Sequence, residues 1–373
     1  MKKRKIILFC AAPPTQLGVV ENYALAHIYG LEYIRAFALR NPEIKKNYDI
    51  EVLSLPLDSL LEKIVDAIVC DAPEIVGLSC SLKNYFITLD IARQIKLAAP
   101  EIDIVVGGPE VFEPERIMEK NVCFDYAVMG EGEETFREFL LSRIRGAGPE
   151  EVAGLCYRKD GKPVRGSVRH PIKDINLLPS IIDRQRANDV SGVILYETAR
   201  GCRHGCSYCL WSPYPKRYFS LNRVKRDLKN LLNNENVSRI FFIDSDFDSD
   251  QERAIAILRY FKENNSHGCK LSAFLSFDNM NPELLSLMGE LCHEVPIGLQ
   301  TVDNKCLNAL GRAWFDLARF DASLPSVLRY IPADRLYIDI MYGLPYETPD
   351  VFLDTLLWCV KRGLNHINFF RLA

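Results

Sequence analysis

Residues 1–147 alternate between short apolar runs and longer amphipathic segments. Short apolar runs bounded by turn residues are typical of buried strands, and apolar positions with a helical period indicate helices. The pattern predicts strands at Ile6–Cys10, Ile50–Leu55, Ile75–Ser79, Ile102–Gly107 and Tyr126–Gly130. Helices are predicted between them, near Asn22–Leu39, Ser59–Cys70, Tyr85–Ala98, Pro114–Glu119 and Thr135–Arg145. Such alternation favours an α/β fold with a doubly wound parallel sheet, Rossmann-like and of the flavodoxin type.

Residues 148–190 break this alternation, and we expect them to form a linker between two domains. The segment Tyr157–Pro163 has an Asp-Gly pair at its centre, which is a typical turn of a small β-hairpin. The rest of the stretch is charged and contains Pro171 and Pro179, a composition that favours an ordered connection over a further strand or helix.

Residues 191–373 resume the alternation with a longer period. Strands are predicted at Val193–Thr198, Arg239–Ile243, Lys270–Leu275, Val295–Gln300, Leu336–Met341 and His366–Phe370. Helices are predicted at Asn222–Leu232, Gln251–Asn264, Pro282–Leu291, Asp303–Leu310, Leu317–Leu328 and Pro349–Arg362. Six β/α steps favour a partial (β/α)6 TIM barrel. The sequence stops soon after the sixth strand, so we expect a C-terminal extension to be absent or truncated.

Composition narrows the class of protein. The chain has 373 residues, of which 48% are hydrophobic, and a formal net charge of -3. This apolar fraction is enough for large cores and excludes a disordered chain, and the mildly acidic balance argues against a nucleic-acid partner. The apolar run near the start, Ile6–Cys10, is too short for a secretory signal, and no stretch is long enough for a membrane span. We therefore expect a cytoplasmic protein with no membrane partner.

Twelve cysteines without an export signal are expected to be reduced thiols. Nine are isolated on apolar stretches and are expected to be small buried hydrophobes. The other three, Cys202, Cys206 and Cys209, follow the first predicted strand of the barrel within eight residues. The carboxyl ends of barrel strands are where active sites are built.

Two kinds of metal site are compatible with three thiols in one loop. Structural zinc requires four ligands, and the fourth would have to be His204, which lies inside the first cysteine spacing. A [4Fe-4S] cluster is held by thiolates and would keep one iron open for a chelating substrate. The cluster accounts for the number of cysteines better than zinc does.

Special residues also end three predicted strands of residues 1–147. Ser79 to Ser81 end the third strand, Gly107, Gly108 and Pro109 end the fourth, and Gly130, Glu131 and Gly132 end the fifth. Ligands of open α/β sheets bind at the carboxyl ends of the strands, near the switch in strand order. Three such turns on one edge therefore predict a ligand site.

The cysteine loop resembles that of the radical S-adenosylmethionine (SAM) enzymes. It has the Cys-x3-Cys-x2-Cys spacing, with Tyr208 before the last cysteine and Arg200-Gly201 before the first. The resemblance continues after later strands and implies SAM contacts by six residues. These are Tyr208, Asp244, Gln300, Arg312, Asp339 and Gly343. The segment from Phe242 to Asp246 departs from the family's usual Gly-Gly-Glu.

The first half of the chain resembles the cobalamin-binding domain that one large branch of these enzymes carries. The matching turns are Val76–Ser79, Val106–Glu110 and Met129–Glu133, and the resemblance implies that Ser79, Ser81, Gly107, Gly108, Pro109, Gly130, Glu131 and Gly132 contact cobalamin. The Asp-x-His-x-x-Gly motif of methionine-synthase-type domains has no match in Ala11–Gly18, and His27 lies in no such frame. The resemblance therefore implies that no histidine from this motif ligates the lower face of cobalt.

The resemblance implies a class B methyltransferase mechanism. In that mechanism the open iron would chelate SAM, and one electron from the cluster would cleave its sulfonium to give a 5′-deoxyadenosyl radical. The radical would remove hydrogen from an unactivated carbon of the substrate, and methylcobalamin would deliver a methyl group to the substrate radical. The expected substrate is a small molecule or natural product, and the expected electron donor is a flavodoxin or ferredoxin.

Two alternatives remain from the sequence. One is a radical cyclase or rearrangement enzyme with the same cofactors but without methyl transfer. The other is a non-catalytic cofactor-binding subunit or fragment. An RNA methylthiotransferase is disfavoured because neither a second cluster domain nor an RNA-binding tail is visible. The sequence identifies no catalytic side chain.

Overall fold

A computed structural model describes residues 2–12, 28–183, 190–212, 214–276 and 281–372 of the chain. It divides into two compact units, Met1–Ile181 and Ile182–Ala373. The boundaries predicted from the sequence, at residues 147 and 190, stay a prediction.

The first unit is built on a seven-stranded sheet. Its strands are β1 (Arg4–Ala12), β2 (Tyr48–Pro56), β3 (Ile75–Ser79), β4 (Asp103–Gly107), β5 (Tyr126–Val128), β6 (Leu155–Lys159) and β7 (Lys162–Arg165). Its helices are α1 (Tyr29–Ala38), α2 (Pro42–Asn47), α3 (Leu61–Val69), α4 (Tyr85–Ala98), α5 (Pro114–Lys120) and α6 (Gly132–Arg145). The strand order is β2-β1-β3-β4-β5-β6-β7, and the first five strands pair in parallel. This order is that of a flavodoxin-type doubly wound sheet, with its switch point between β1 and β3.

The central strands are apolar on both faces because helices cover both sides of the sheet. Along β1, Ile7 and Phe9 enter one core, whereas Ile6 and Leu8 enter the other. Successive side chains of a strand point to opposite faces, so a strand between two helical layers must be apolar at every position. For this reason, short continuous apolar runs in the sequence predict the positions of these strands.

The hairpin predicted in the linker belongs to the sheet of the first unit. Strand β6 pairs antiparallel with β5, and β7 pairs antiparallel with β6 across the predicted turn at Asp160 and Gly161. Both turn residues have positive φ, as a two-residue hairpin turn of this class requires.

The second unit contains a six-stranded parallel sheet. Its strands are β8 (Gly192–Tyr196), β11 (Val237–Phe242), β12 (Lys270–Ala273), β13 (Cys292–Gln300), β14 (Leu336–Tyr342) and β15 (His366–Arg371). Its helices are α7 (Leu221–Leu232), α8 (Gln251–Asn264), α9 (Pro282–Leu291), α10 (Asn304–Ala309), α11 (Leu317–Tyr330) and α12 (Pro349–Lys361). The order β15-β14-β13-β12-β11-β8 follows the sequence, as in a barrel wall, and all pairings are parallel. Two short strands, β9 (Ala199–Arg200) and β10 (Arg217–Tyr218), form a separate antiparallel ladder.

The predicted strands and almost all predicted helices are confirmed. Helix α1 begins at Tyr29, and the earlier part of the predicted helix Asn22–Leu39 lies outside the described residues. The short helix α2 was not predicted, although Asn41 caps it and Pro42 begins it. Among the helices of the described residues, none is long and apolar enough to cross a membrane.

Candidate functional site

The three cysteines lie on a loop whose two ends are tied together. Strands β9 and β10 pair on either side of the loop, and the backbone N–H of Cys202 donates to the carbonyl of Tyr214 at 3.1 Å. Within the loop, the N–H of Cys209 donates to the carbonyl of Cys206 at 3.2 Å. Cys206 is buried, and the other two cysteines are half-buried. Backbone hydrogen bonds therefore hold together the two ends of the loop that carries the three cysteines.

The sulfur atoms lie among hydrogen-bond donors. The backbone N–H of His204 donates to the sulfur of Cys202 at 3.4 Å, and a guanidinium nitrogen of Arg312 lies 3.8 Å from the sulfur of Cys206. Burial raises the pKa of the Cys202 and Cys209 thiols above the ordinary value. Binding to iron would therefore have to displace these protons, as thiolate ligation generally does.

The donor set fits an iron–sulfur cluster better than a single ion. Among the described residues, no three His, Cys, Asp or Glu side chains converge closely enough to hold one metal ion. A structural zinc ion takes four protein ligands, whereas the irons of a cluster are ligated by thiolates. Three thiols on one loop, Cys202, Cys206 and Cys209, therefore fit a cluster with one open corner.

A segment that follows β13 and α10 packs directly against the loop. The N–H of Ser207 donates to the carbonyl of Leu310 at 2.9 Å. Gly311 has φ +67°, and a Cβ placed on it would lie 2.9 Å from the carbonyl oxygen of Gly205. Since backbone atoms cannot yield as a flexible side chain can, only glycine fits at position 311 without moving the cysteine loop.

Tyr208 and Arg312 meet beside the loop. Arg312 donates to the Tyr208 hydroxyl at 3.3 Å and to the carbonyl of Gly298 at 2.6 Å. The Tyr208 ring packs against the apolar cluster that contains Met341 and Leu344, and burial raises the pKa of its hydroxyl to about 12. The structure thus brings both residues, predicted from the sequence as SAM contacts, next to the cysteines. The contacts with SAM themselves stay a prediction.

Asp244 is buried at the end of β11 and supports the loop from the other side. Its carboxylate accepts hydrogen bonds from the N–H groups of Thr198 and Ala199, at 2.7 and 3.1 Å, and from the Thr198 hydroxyl. These partners lie just before the cysteine loop, so Asp244 orients the backbone that leads into it. Its predicted contact with SAM is not part of this arrangement and stays a prediction.

A second carboxylate near Cys202 belongs to Asp246, which lies two residues after Asp244 and is not among the predicted SAM contacts. Asp246, only 2% exposed, pairs with Lys216, and its Oδ2 lies 3.5 Å from Nε of Arg203. The neighbouring Ser245 hydroxyl donates to the carbonyl of Gly201 at 2.7 Å. The pair of acids in the Asp-Ser-Asp segment was the only sequence signal for these contacts, because their partners lie thirty or more residues earlier in the chain.

The remaining predicted SAM contacts follow β13 and β14. Gln300 has a positive φ of 68°, and its side-chain oxygen is buried without a partner among the described residues. Asp339 accepts from the amide nitrogen of Asn368 at 2.9 Å, and burial raises its pKa to about 6. Gly343 lines a cavity of about 560 Å³ together with Tyr342, Glu347, Thr348, Pro349, Phe352 and Phe369.

Glu347 is a further residue that the sequence did not single out. Its Oε2 accepts from the N–H groups of Gly343 and Leu344, at 2.6 and 3.2 Å. Its Oε1 is buried and has no partner within the described part of the chain. A buried carboxylate oxygen without a donor costs stability until a partner satisfies it, which singles out Glu347 beside the cavity. The Pro-Tyr-Glu-Thr turn before α12 is a weak sequence signal for it.

In the first unit, the turns after β3 and β4 contact each other through their backbones. The N–H of Cys80 donates to the carbonyl of Gly107 at 2.7 Å, and the N–H of Glu110 donates to the carbonyl of Cys80 at 3.3 Å. Gly108 has φ +117°, and a Cβ on it would lie 2.4 Å from the oxygen of Cys80. The two turns, which contain the predicted residues Ser79 and Ser81 after β3 and Gly107, Gly108 and Pro109 after β4, therefore form one continuous backbone edge.

Asn84 holds the turn after β3, and sequence analysis missed it. It is 3% exposed, and its Oδ1 accepts from the N–H of Ser81 at 2.7 Å. Its amide nitrogen donates to the carbonyls of Ser79 at 3.0 Å and Ala11 at 3.3 Å. Asn84 therefore joins the ends of β1 and β3 at the switch point of the sheet. An asparagine just before a helix was the only signal in the sequence.

The turn after β5 contains the other three predicted cobalamin contacts. Gly130 has a positive φ of 69°, and Gly132 begins α6 close to Ile34. The Glu131 carboxylate accepts from the N–H of Ile172 at 2.9 Å, so it ties the later chain segment to this turn. The segment after β1 that was compared with the cobalt-ligating motif, and His27, lie outside the described residues.

Comparisons with known proteins agree with the division of the chain into two units. The model of the B12 binding domain matches residues 19–140, and that of the Radical SAM superfamily matches residues 196–359. An uncharacterized methyltransferase of Pyrococcus horikoshii is 27% identical over 99% of this chain and 80% of its own length. The 2-(S-pantetheinyl)-carbapenam-3-carboxylate methyltransferase of Streptantibioticus cattleyicolor is 25% identical over 89% of this chain and 51% of its own length. The chain thus spans about half the length of this second relative.

A solved structure has the same fold. The radical S-adenosylmethionine methyltransferase TsrM from Kitasatospora setae, with cobalamin and an iron–sulfur cluster bound, has a TM-score of 0.75. It is 16% identical, and the match covers 99% of this chain and 72% of TsrM. With both family models matched in the order that the fold shows, the chain belongs to the radical SAM superfamily and carries a B12-binding domain before its radical SAM domain.

Proposed function

We propose that the chain is a cobalamin-dependent radical SAM methyltransferase that methylates an unactivated carbon of a small molecule. The observation that carries the proposal is the cysteine loop, in which Cys202, Cys206 and Cys209 lie on one short segment, with hydrogen-bond donors at the sulfurs of Cys202 and Cys206. The relatives named as methyltransferases support the choice of reaction.

The residues of the second unit would hold the cluster and SAM. Cys202, Cys206 and Cys209 supply the thiolates, and the open iron corner is left for SAM. The Nε of Arg312 is buried without a partner among the described residues, so it remains available to the SAM carboxylate. The Oε1 of Glu347 is available to an amino group such as that of adenine.

The residues of the first unit would hold cobalamin along the edge formed by the turns after β3, β4 and β5. Ser79 and Ser81 supply polar groups, and Gly107, Gly108 and Pro109 let the corrin approach the backbone. Gly130, Glu131 and Gly132 complete the edge. When bound, the cluster and SAM supply a radical that removes hydrogen from carbon, and cobalamin supplies the methyl group.

An external one-electron donor completes the proposal, and we propose a flavodoxin or ferredoxin for this role. All twelve cysteines are free thiols. Free thiols and an oxygen-sensitive cluster both require a reducing compartment, so we propose that the protein works in the cytoplasm.

The test is anaerobic reconstitution of the chain with iron, sulfide and cobalamin, followed by SAM carrying a labelled methyl group. We expect iron and sulfide in a ratio close to one, a corrin spectrum, and 5′-deoxyadenosine. Cys206→Ala should lose the cluster absorbance and retain the corrin, whereas Cys292→Ala, which changes a cysteine outside the loop, should keep both.

Three results would contradict parts of the proposal. A single bound zinc ion without sulfide would exclude the cluster. 5′-Deoxyadenosine without any label transfer to added small-molecule substrates would favour radical cyclisation or rearrangement. Loss of the corrin from a folded Cys206→Ala variant would contradict two separable sites.

A further inference from the structure

Arg312 is a buried cation that touches a proposed cluster ligand. It is 6% exposed, and its Nη1 lies 3.8 Å from the sulfur of Cys206 and 3.3 Å from the hydroxyl of Tyr208. Its Nη2 donates to the carbonyl of Gly298 at 2.6 Å. The edge of the guanidinium group that carries Nη1 is thus directed at the cysteine loop.

Aromatic rings hold this guanidinium group in place. The guanidinium carbon lies 4.6 Å from the ring centre of Trp314 and 5.4 Å from that of Phe315. Trp314 in turn stacks on His204, with ring centres 3.5 Å apart and planes 13° from parallel. Because His204 belongs to the cysteine loop, the arginine, the indole and the loop form one packed stack. The contact between Arg312 and Cys206 is therefore built into the packing and does not depend on an exposed, mobile side chain.

A buried N–H donor and a positive charge at a ligand sulfur have a specific electrostatic effect. Reduction adds one negative charge to a cluster, and that charge spreads onto its sulfur ligands. Hydrogen bonds to those sulfurs and nearby positive charge stabilise the reduced state and raise the reduction potential. Burial strengthens the effect because water and salt screen it less.

We propose that Arg312 raises the reduction potential of the cluster by donating a hydrogen bond to the sulfur of Cys206. Arg312 is a positioning residue in this role, because it acts on the cluster through a ligand. The proposal rests on the proposed function, since it requires a cluster on Cys202, Cys206 and Cys209.

The experiment is a redox titration of the reconstituted protein without SAM, which removes any contribution from a carboxylate bound by Arg312. The reduced cluster is quantified by electron paramagnetic resonance at low temperature, apart from the cobalamin signal. Arg312→Met removes the charge and the donor, Arg312→Gln retains a donor without charge, and Arg312→Lys retains the charge without the planar fork.

The matched control is Arg335→Met. Arg335 is also an arginine of the second unit beside a cysteine, and its Nη1 donates to the carbonyls of Gly289 and Cys292 at 2.8 and 3.4 Å. It lies just before β14, at the opposite strand end from the cysteine loop. Iron and sulfide contents are measured first in every protein.

In Arg312→Met we expect the ratio of reduced to oxidised cluster at a fixed potential to fall about tenfold, which is about 59 mV for a one-electron couple. Arg312→Gln and Arg312→Lys should give smaller decreases, and Arg335→Met should remain within about twofold of the parent. Resonance Raman spectra should show iron–cysteine stretching at higher frequency in Arg312→Met, because a sulfur without its hydrogen bond bonds iron more strongly.

The outcomes separate this inference from the proposed function. A parent protein without iron and sulfide would overturn both. A parent with a cluster and an Arg312→Met variant of unchanged potential would overturn the tuning role alone. Loss of the cluster in all three Arg312 variants, with the control intact, would also overturn it and assign Arg312 to holding the loop.

Discussion

Replacing Gly108 by alanine tests whether the edge of the first unit binds cobalamin through its backbone. Gly108 has φ +117°, which side chains rarely tolerate, and its added Cβ would lie 2.4 Å from the oxygen and 3.0 Å from the nitrogen of Cys80. Gly146, which ends α6, is the matched control. It also has a positive φ, +69°, but no described atom lies within 4 Å of its added Cβ.

The two substitutions differ in cost for reasons that the structure separates. Gly146→Ala places alanine in the left-handed helical region, which costs about 1–2 kcal/mol. Gly108→Ala adds backbone strain of about 1–3 kcal/mol and an overlap with backbone that cannot rotate away. Relief of the overlap must move the turn, which weakens the bonds between Cys80 and Gly107 and between Glu110 and Cys80, each worth about 1 kcal/mol. We therefore expect Gly108→Ala to cost about 3–5 kcal/mol of stability in the first unit.

The assay measures corrin content, iron content and thermal unfolding of each reconstituted variant. We expect Gly108→Ala to bind cobalamin at least about tenfold more weakly, because a displaced turn loses more than about 1.4 kcal/mol of contact. Its iron content should equal that of the parent, and Gly146→Ala should bind cobalamin normally. If Gly108→Ala bound cobalamin as tightly as Gly146→Ala and unfolded at the same temperature, the close approach at the turn would have no role.

Three further substitutions test other contacts. Gly311→Ala should lower cluster content severalfold because its Cβ meets the cysteine loop, whereas Gly363→Ala, with φ +73° and open space around its Cβ, should retain the cluster; equal iron contents would contradict this. Asn84→Ala leaves buried backbone groups unpaired, so it should cost about 2–4 kcal/mol and weaken corrin binding; an unchanged melting temperature would exclude that role. For Asp339, burial raises the pKa to about 6, so the folded state is favoured while the carboxyl is protonated, and its contribution is lost as the pH rises from about 4 through 6. Between pH 4.5 and pH 7.5 the free energy of unfolding should therefore decline by about 1–3 kcal/mol less in Asp339→Asn than in the parent, which melting temperatures measured across this range will show. Parallel curves for parent and variant would refute a raised pKa of Asp339.

The strands could be located from the sequence because each is buried on both faces. Ile75–Ser79 and Asp103–Gly107, for example, are short apolar runs that end in glycine or serine, and their positions agree with prediction within a residue. Strands β9 and β10 could not be found, since two residues are too few to show a period. The hairpin itself was predicted, but its membership of the first sheet was not. Its strand β6 pairs with β5, and the sequence does not mark these two segments as partners.

In the candidate sites too, features within one short segment could be predicted, whereas contacts between distant segments could not. Spacing alone identified Cys202, Cys206 and Cys209, because all three lie on one short loop. The roles of Asn84 and Asp246 depend on which strand ends become neighbours in space. Asn84 reaches a carbonyl of β1 more than seventy residues away, and Asp246 meets Lys216 across thirty residues. Sequence patterns report local periodicity, so contacts of this kind become visible only when the sheet order is known.

The cysteine loop is supported by several segments of the second unit that are distant from it in sequence. Asp244 fixes the backbone before the loop from the end of β11, and the ladder of β9 with β10 ties its two ends. Leu310 and Arg312 approach Cys206 and Ser207 from the segment after β13. The supports come from three different segments, and each is directed at backbone or sulfur. A peptide with the same cysteine spacing would have the ligands without these donors. It follows that the spacing determines which atoms can bind iron, whereas the parallel order of the strands determines the charge and hydrogen bonding that the bound cluster would experience.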